Sequence, residues 1–475
     1  MGRASRDERI AYAAHVAPSP RQLAWQRLEL AAFFHFTVNT FTDLEWGTGE
    51  EDPAVFNPTE LDTRQWLRAA SEAGFKLAIL TAKHHDGFCL WPSRYTEHSI
   101  KRSPYRDGQG DVVREFVNAC REYGVKVGFY LSPWDRHEPA YGTDAYNDYF
   151  VSQLTELLTN YGEVSEMWFD GACGEGPNGK RQVYDWERYY RLIRELQPEA
   201  VIAIAGPDVR WVGNESGLAR ENEWSVVLVE SLDQDRIKED SQHDADLPRV
   251  IANARGGDLG SREMVLGADR LVWYPAECDV SVRPGWFYHD REDSQVKSPE
   301  ALVDLVYKSV GRNAGLLLNL PPDRRGLIHG NDVRSLHGMR RILDATFAID
   351  LAHGAAVAAS HEREGYASPN VTDGDSETYW TTDDWQETAE LVIDLGEEAT
   401  FDVVMLREHI AVGQRIEAFM VEASVEGRWH EVAGGGTVGN RRLLRCEPTT
   451  TGKVRVRIAA SRFAPTLSQI GLYRS

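Results

Sequence analysis

From about residue 28 onward, short apolar runs alternate with segments that carry apolar residues at helical spacing. The runs include LAAFFHF, LAILTAK, VKVGFYL, EMWF, AVIAIA and GLLLNL, and segments such as TRQWLRAASEAG and DVVREFVNACREYG separate them. Continuous apolar strands that alternate with amphipathic helices are typical of a parallel sheet covered by helices. So many units before residue 345 favour a (β/α) TIM-like barrel over an open doubly wound sheet.

After about residue 345 the pattern changes to short runs with period-two alternation, at 388–409, 420–434 and 452–460. Gly-rich turns such as GGGTVGN separate these runs. This pattern predicts an all-β sandwich. We therefore expect an α/β chain with a (β/α) barrel over residues 1–345 and a β-sandwich over 346–475, joined by a linker near 353–360.

Composition excludes several classes of partner. The formal net charge of -22 argues against nucleic acid and against an anionic membrane surface. The five Cys are far apart and fit neither a disulfide framework nor a zinc site. No phosphate-binding GxGxxG or GxxxxGKS/T loop follows an early strand, which argues against nucleotides. No stretch reaches transmembrane length and the N-terminus lacks a signal-like apolar run, so the chain as given is expected to be cytoplasmic, or secreted if a signal was removed.

Polar residues gather where the predicted strands end. They are His35 after the first run, His84, His85 and Asp86 after the second, Tyr130, Trp134 and Asp135 after the third, and Asp170 after the fourth. In a (β/α) barrel the carboxyl ends of the strands share one face, where active sites are built. This convergence predicts an enzyme.

The adjacent pair His84 and His85 could be read as metal ligands, but metal-binding pairs usually lie two or four residues apart. Neighbouring side chains of a strand point to opposite sides, so both reach one site only if the chain bends there. Imidazoles that hydrogen-bond to sugar hydroxyls fit better than a metal. The alternative is one His in the pocket and one with a structural role.

Four segments in register carry a specific resemblance: KHHDGF at 83–88, SPW at 132–134, WFDG at 168–171 and NAGLLLNLPPDRRGLI at 313–328. Together they resemble the α-L-fucosidases of glycoside hydrolase family 29, over about residues 20–345. The resemblance implies retaining hydrolysis of terminal α-linked L-fucose, without a cofactor for catalysis, and makes Asp170 the nucleophile. A retaining glycosidase needs an ionised carboxylate and a second carboxyl that protonates the leaving oxygen. The alternative for Asp170 is a structural role, in which its side chain caps the N-terminus of the following helix.

The segment 206–225 resembles the subfamily restricted to α-1,3- and α-1,4-linked fucose, which implies that Glu215 is the acid/base. Glu221 and Glu223 are the other candidates for the acid/base. Fucosylated oligosaccharides such as Lewis a and Lewis x structures are the implied partners, and the loop with Asp208, Arg210 and Trp211 is placed to contribute to linkage selectivity. The alternatives are a general α-L-fucosidase, a retaining glycosidase for another sugar, and a non-catalytic sugar-binding protein.

The same resemblance implies which residues bind the sugar ring. The ring-binding set is His35, Glu45, Trp46, His84, His85 and Tyr130, with Trp168 and Trp286 as the apolar side. Arg283 is implied as a positive group near the nucleophile, where it would help keep Asp170 ionised. One departure is HFT at 35–37, where many relatives read HFG.

The second predicted domain opens with SPNVTDGDSETYWTT, which resembles galactose-binding-like sandwiches, the fold of family-32 carbohydrate-binding modules and discoidin domains. That fold often holds a structural calcium, here implied at Asp373, Asp375 and Thr378. The acidic residue usual near the last strand is Gln469 in this chain. A structural role and a sugar-binding role for the domain both remain open.

Overall fold

The computed structural model describes residues 5–228 and 258–475. Eight parallel strands form a nearly closed barrel in the order β5-β4-β3-β2-β1-β10-β9-β6, and β7 and β8 form a separate antiparallel pair. The strands are β1 (Leu30–Phe34), β2 (Leu77–Lys83), β3 (Lys126–Leu131), β4 (Glu166–Phe169), β5 (Val201–Ile204), β6 (Arg210–Trp211), β7 (Val226–Leu228), β8 (Leu271–Trp273), β9 (Ala276–Ser281) and β10 (Gly315–Asn319). The predicted TIM-like barrel is confirmed.

Helices cover the outside of the barrel. They are α1 (Arg6–His15), α2 (Pro20–Gln26), α3 (Val38–Thr42), α4 (Thr63–Glu72), α5 (Val112–Tyr123), α6 (Asp144–Asn160), α7 (Trp186–Leu196), α8 (Arg262–Gly267), α9 (Pro299–Lys308) and α10 (Gly330–Thr346). Side-chain N-caps fix several starts; the Asp111 carboxylate, for example, accepts the Arg114 amide at 2.8 Å and begins α5. That helix buries Val113, Phe116 and Val117 toward the strands and ends at Gly124, which has the left-handed φ of 67°.

The barrel interior has its own core, separate from the layer between strands and helices. Its side chains include Phe33, Ile79, Tyr130 and Trp168, and Trp25 of α2 packs in the same cluster. Two carboxyl groups lie inside as well. Trp25 donates its indole N–H to Glu166 at 2.7 Å, and Trp168 donates to Glu277 at 2.9 Å.

The connection from β5 to β6 departs from the regular barrel because no helix separates the two strands. The chain turns within a few residues, and Ile204 at the end of β5 has a φ of 67°, which is rare for a β-branched residue. The Ile204 amide donates to the Val209 carbonyl at 2.9 Å, which draws the two edges of the sheet together. The strained residue lies at the barrel rim, where the functional cavity opens.

The C-terminal part is an antiparallel β domain, as predicted. Its strands are β11 (Ala356–Ala359), β12 (Trp380–Thr381), β13 (Ala389–Arg407), β14 (Ile416–Val425), β15 (Arg428–Gly435), β16 (Arg442–Ser461), β17 (Thr466–Leu467) and β18 (Gln469–Tyr473). The main sheet has the order β11-β13-β16-β14-β15, with β18 paired to β13. The predicted linker near 353–360 is wrong, because β11 lies inside that segment and pairs with β13. The connection after α10 spans residues 347–355 and precedes β11.

The β domain packs directly on the barrel. Glu29, just before β1, forms ion pairs with Arg407 at 2.7 Å and Arg441 at 2.6 Å. Gln414 accepts the Ser225 amide at 2.8 Å. Within the described ranges, no helix is long and apolar enough to cross a membrane.

Candidate active site

A cavity of about 740 Å³ opens at the carboxyl ends of the barrel strands. It is lined by Phe33, His35, Glu45, Trp46, His84, His85, Tyr130, Trp168, Asp170, Gly171, Ala172, Ile204, Trp211, Glu215, Asp279 and Trp286. The two predicted catalytic carboxylates and all but one of the predicted sugar-binding residues therefore share one cavity. The exception is Arg283.

Asp170 directly follows β4 and is held at both carboxylate oxygens. Its Oδ1 accepts the Ala172 amide at 2.8 Å, and its Oδ2 accepts the Tyr130 hydroxyl at 3.0 Å. The ring of Tyr130 stacks on Trp168 with centroids 5.2 Å apart. The two hydrogen bonds fix the orientation of the Asp170 carboxylate in the cavity wall.

Three imidazoles form one wall of the cavity, and all are buried. Burial lowers the pKa of His35 to about 3 and that of His85 to about 4, and it lowers the pKa of His84 well below its usual value. These side chains are therefore neutral at ordinary pH. The chain bends after β2, so adjacent His84 and His85 both line the cavity, with ring centroids 4.2 Å apart. The alternative of one structural His is wrong.

Glu45 joins two loops of the rim. Its carboxylate accepts the amides of Trp286 at 2.8 Å and Phe287 at 3.1 Å, and lies 2.6 Å from Nε2 of His289. Trp46 follows it and packs edge-on against His85, with centroids 5.6 Å apart. The segment after α3 and the segment after β9 are thereby fixed to one another around the cavity mouth.

Glu215 lies in the loop after β6, exposed at the cavity mouth, and accepts the Trp286 indole N–H at 3.3 Å. Its two rivals are engaged elsewhere. Glu221 forms ion pairs with Arg312 at 2.6 Å and with Arg442. Glu223 is fully buried and paired with Arg210 and Arg220. Neither rival lines the cavity described above.

A cavity with four carboxyl groups, neutral imidazoles and an indole wall at a barrel rim suits a sugar, and the comparison with known proteins decides the family. Residues 23–346 match the family model described as Alpha-L-fucosidase. The chain belongs to the α-L-fucosidases of glycoside hydrolase family 29. The predicted enzyme class is confirmed. Residues 355–468 match the F5/8 type C domain model, the discoidin-type fold expected for the C-terminal part.

Relatives cover nearly the whole of this α-L-fucosidase. It is 43% identical over 466 residues to Alpha-L-fucosidase 1 of Arabidopsis thaliana, which spans 96% of this chain and 87% of that protein. Identity to a rice protein described as a putative α-L-fucosidase 1 is 44% over 464 residues, with 96% and 84% covered. A Ruminococcus gnavus family 29 fucosidase solved in complex with fucose superposes with a TM-score of 0.84 at 34% identity, covering 97% of this chain and 95% of that one.

The prediction that Arg283 is a positive group near Asp170 is wrong. Its buried guanidinium forms ion pairs with Asp332 and Asp293, each at 2.9 Å, and it is not among the residues that line the described cavity. The guanidinium also lies over the ring of Tyr288, 4.6 Å from its centroid. These contacts tie the segment after β9 to α10, which is a structural role.

The loop predicted to influence linkage divides into two kinds of residue. Trp211 lines the cavity. Asp208 is buried and accepts the Ile202 amide at 2.8 Å, with Arg21 and Arg194 as its ion-pair partners. Arg210 is buried against Glu223 and the Tyr274 carbonyl. Only Trp211 is therefore placed to touch a substrate.

Sequence reasoning missed Asp279, which lies on β9 and lines the cavity. Burial raises the pKa of its carboxyl well above the usual value, and the charge of Glu215 adds to this. The signal in the sequence was the inward alternation of Glu277, Asp279 and Ser281 in AECDVS. Phe33 and Ile204 were also missed, because the sequence does not distinguish an apolar strand residue that lines a cavity from one that packs in the core.

In the turn that was predicted to bind calcium, the three residues lie close together. Their side-chain oxygens form hydrogen bonds within the turn itself. Thr378 donates its hydroxyl to Asp373 at 2.7 Å, and Asp373 accepts the Asp375 amide at 2.8 Å. Calcium takes six to eight oxygen ligands. Among the described residues no group of three or more His, Cys, Asp or Glu side chains is arranged to hold a metal. The residues present do not fit a calcium site.

Proposed function

We propose that this α-L-fucosidase is a retaining enzyme in which Asp170 is the nucleophile and Glu215 the acid/base. The observation that supports the pair is that both carboxylates line one cavity, whereas Glu221 and Glu223 do not. Asp170 has its orientation fixed by Tyr130 and a backbone amide. Glu215 is on a loop at the mouth, the side from which a leaving group departs.

In the first step, Asp170 attacks the anomeric carbon of fucose while Glu215 gives its proton to the glycosidic oxygen. A covalent fucosyl-enzyme and the free leaving group result. In the second step, Glu215 takes a proton from water, which attacks the anomeric carbon and releases fucose with retained configuration. The neutral imidazoles His35, His84 and His85 supply hydrogen bonds to the ring hydroxyls, and Trp168 and Trp286 supply the apolar side.

The roles of Asp170 and Glu215 can be tested by measuring how the activity of each variant depends on the leaving group of the substrate. We expect Asp170→Ala to lose nearly all turnover, because alanine cannot attack the anomeric carbon, with azide giving only β-fucosyl azide. Glu215→Ala should lose activity on natural fucosides by about 10²–10⁴-fold and keep activity on aryl fucosides with good leaving groups, since only poor leaving groups need protonation. The measurement is kcat/KM across an aryl fucoside series and 3-fucosyllactose.

Glu221→Gln is the matched control, because Glu221 belongs to the same segment but lies outside the cavity. Its leaving-group dependence should match that of the wild type. If Glu215→Ala cleaves 3-fucosyllactose normally, Glu215 is not the acid. If the wild-type protein releases fucose from neither substrate, the proposed function fails as a whole.

We further propose that the enzyme is selective for α-1,3- and α-1,4-linked fucose in branched oligosaccharides, such as Lewis a and Lewis x structures. Trp211 beside Glu215 at the cavity mouth supports a subsite for the sugars beyond fucose. In branched trisaccharides a neighbouring galactose packs on the fucose, so such a subsite gains contacts that an α-1,2 disaccharide cannot supply. Remote binding energy of this kind appears in kcat/KM.

We expect a clear preference for 3-fucosyllactose and Lewis trisaccharides over 2′-fucosyllactose, measured as a ratio of kcat/KM values. Trp211→Ala should reduce this ratio, because it removes the aromatic face, and should affect aryl fucosides less. If the wild type hydrolysed 2′-fucosyllactose and 3-fucosyllactose at equal rates, the enzyme would be a general α-L-fucosidase without linkage selectivity.

A further inference from the structure

Strand β9 carries two buried carboxyl groups, and each accepts the N–H of an indole that lines the fucosidase cavity. Trp168 donates to Glu277 at 2.9 Å, and Trp211 donates to Asp279 at 2.8 Å. Glu277 and Asp279 are two positions apart, so both side chains leave the strand on the same face. They are 1% and 4% exposed. Neither takes part in the two chemical steps of hydrolysis.

The two carboxyl groups hold different parts of the cavity wall. Trp211 closes β6 and lies opposite Glu277 in the parallel β6–β9 pair, so Asp279 is further toward the carboxyl end of β9, where the cavity opens. Asp279 lines the described cavity and Glu277 does not. Trp168 lies on β4, the strand that leads to the proposed nucleophile. The loop with Glu215 begins directly after Trp211. Asp279 therefore holds the indole on the side of the leaving group.

The bond between Trp211 and Asp279 differs from the third indole–carboxyl contact of the cavity. Trp286 donates to Glu215 at 3.3 Å, and Glu215 is exposed. A general acid has to turn from such a donor toward the glycosidic oxygen. Trp211 and Asp279 are joined at 2.8 Å, and Asp279 is nearly inaccessible to water. Breaking this bond would leave a buried acceptor unsatisfied, so the indole stays in one orientation.

We propose that Asp279 is a positioning residue that orients Trp211 as the wall of the subsite for the leaving glycan. The inference rests on the proposed linkage selectivity and assigns it to a pair of residues. The hydrogen bond fixes the rotation of the indole before a substrate arrives. A branched glycan then contacts an aromatic wall that is already ordered, and binding does not have to pay for ordering it. Asp279 acts through Trp211 and does not itself touch the glycan.

The test compares Asp279→Ala with Asp279→Asn on 3-fucosyllactose and 2′-fucosyllactose. Alanine removes the acceptor of the Trp211 N–H, whereas asparagine keeps an oxygen there. We expect Asp279→Ala to lower the ratio of the two kcat/KM values by about 3–10-fold, as expected for the loss of one hydrogen bond. Asp279→Asn should retain most of the ratio. An aryl fucoside with a good leaving group lacks the second sugar, so its kcat/KM should fall much less.

A double-variant comparison shows whether Asp279 acts through the indole. Trp211→Phe keeps a ring in the wall but removes the N–H, and we expect it to lower the ratio as well. In the Trp211→Phe background, Asp279→Ala should then have no further effect on the ratio. A second effect of similar size would mean that Asp279 touches the glycan itself, and the positioning role would be wrong. If Asp279→Ala does not fold, an unchanged ratio in Trp211→Phe overturns the proposal.

Two neighbours on β9 provide matched controls. Cys278 lies between the two carboxyl residues, leaves the strand on the opposite face and packs in a cluster with Val212 and Ala219. Cys278→Ala should leave the ratio unchanged. Glu277→Ala removes the acceptor of the Trp168 N–H, beside the fucose, and should lower kcat/KM on all three substrates by similar factors. If either control lowers the ratio as Asp279→Ala does, a general disturbance of β9 explains the effect and the proposal fails.

An Asp279→Ala enzyme with the wild-type ratio would overturn the proposal. An Asp279→Asn enzyme that loses the ratio as fully as Asp279→Ala would do the same, because asparagine preserves the acceptor. Failure of the proposed selectivity is a distinct outcome, since the wild type itself would then hydrolyse 2′-fucosyllactose and 3-fucosyllactose at equal rates.

Discussion

The hydrogen bonds behind the cavity imidazoles fix which ring nitrogen carries the proton. Asn319 donates through Nδ2 to the Trp286 carbonyl at 2.7 Å, so its Oδ1 faces His35 and accepts the Nδ1 proton at 2.8 Å. Ser132 donates to the Trp134 carbonyl and therefore accepts the Nδ1 proton of His85 at 2.7 Å. Both rings thus keep Nε2 as a hydrogen-bond acceptor. Two acceptors in one wall match the donor hydrogens of neighbouring sugar hydroxyls.

Buried groups that stay neutral also set how stability depends on pH. Burial raises the pKa of Glu166 to about 8 and those of Asp86 and Glu408 to about 7, above their values in an unfolded chain. These carboxyls keep protons in the folded state that the unfolded chain has lost, so stability falls as pH rises toward 7–8. The buried imidazoles act in the opposite direction, but only below their unfolded pKa of about 6.5.

We therefore expect the Tm to fall as pH rises from about 6.5 to 8, where the carboxyl groups act alone. Glu166→Gln should raise the Tm relative to wild type at about pH 8 and much less at about pH 5, because glutamine never has to ionise. The Trp25 N–H keeps an oxygen acceptor in this variant. Thermal unfolding monitored across pH checks this, and a Glu166→Gln effect that is the same at both pH values would contradict it.

Among the elements, the short β5–β6 connection shapes the cavity most directly. It replaces a helix by a tight turn, so Ile204 at the end of β5 and Trp211 at the end of β6 both reach the cavity. Asp208 holds the turn closed through the Ile202 amide and two arginines, Arg21 and Arg194. A buried carboxylate with this set of partners stabilises the element rather than binding a sugar.

Asp208→Ala should cost about 3–5 kcal/mol in the free energy of unfolding, because it leaves arginines at the site without their counter-charge. The preference for 3-fucosyllactose over 2′-fucosyllactose should stay unchanged in the folded fraction, in contrast to Trp211→Ala. Denaturant unfolding and the ratio of kcat/KM values are the two measurements. If Asp208→Ala changed the ratio of kcat/KM values for the two substrates, Asp208 would have to be counted among the residues that affect substrate binding.

Over the whole molecule, the β domain holds the segment that follows the loop with Glu215. Arg442 donates to the Glu221 carbonyl and pairs with its carboxylate. Gln414 bonds to both the Glu223 carbonyl at 3.1 Å and the Ser225 amide at 2.8 Å. The guanidinium of Arg462 lies over the Trp224 ring, 3.6 Å from its centroid. The second domain is thus structurally part of the barrel rim.

Gln414→Ala should destabilise the enzyme by about 1–3 kcal/mol, because it leaves the buried Ser225 amide without its acceptor. We also expect its activity to fall more on 3-fucosyllactose than on an aryl fucoside with a good leaving group, since the loop with Glu215 loses support. Unfolding curves and the ratio of the two kcat/KM values give the answer. Equal proportional losses on both substrates would mean that the contact stabilises the fold without positioning the loop.

The sequence by itself determined the barrel, the β domain and most of the cavity. Alternating apolar runs and amphipathic segments are local signals, and in a parallel barrel every strand end reaches the same face. Residues directly after a strand, such as His35, His84 and Asp170, could therefore be assigned to the site without knowing any distance. A motif directed attention to the loop with Glu215, and Glu215 lines the cavity.

Only the tertiary structure decided which charged groups are free to act. Arg283 and Asp208 carry the side chains that a sugar site would use, yet counter-charges from α10, α7 and the N-terminal region occupy them. The sequence did not reveal the role of Asp279, because its partners are more than sixty positions away along the chain. Trp211 donates a hydrogen bond to its carboxylate, and the charge of Glu215 raises its pKa. Periodicity reports which face a residue occupies, whereas ion pairing, burial and protonation depend on partners that folding brings together from distant parts of the chain.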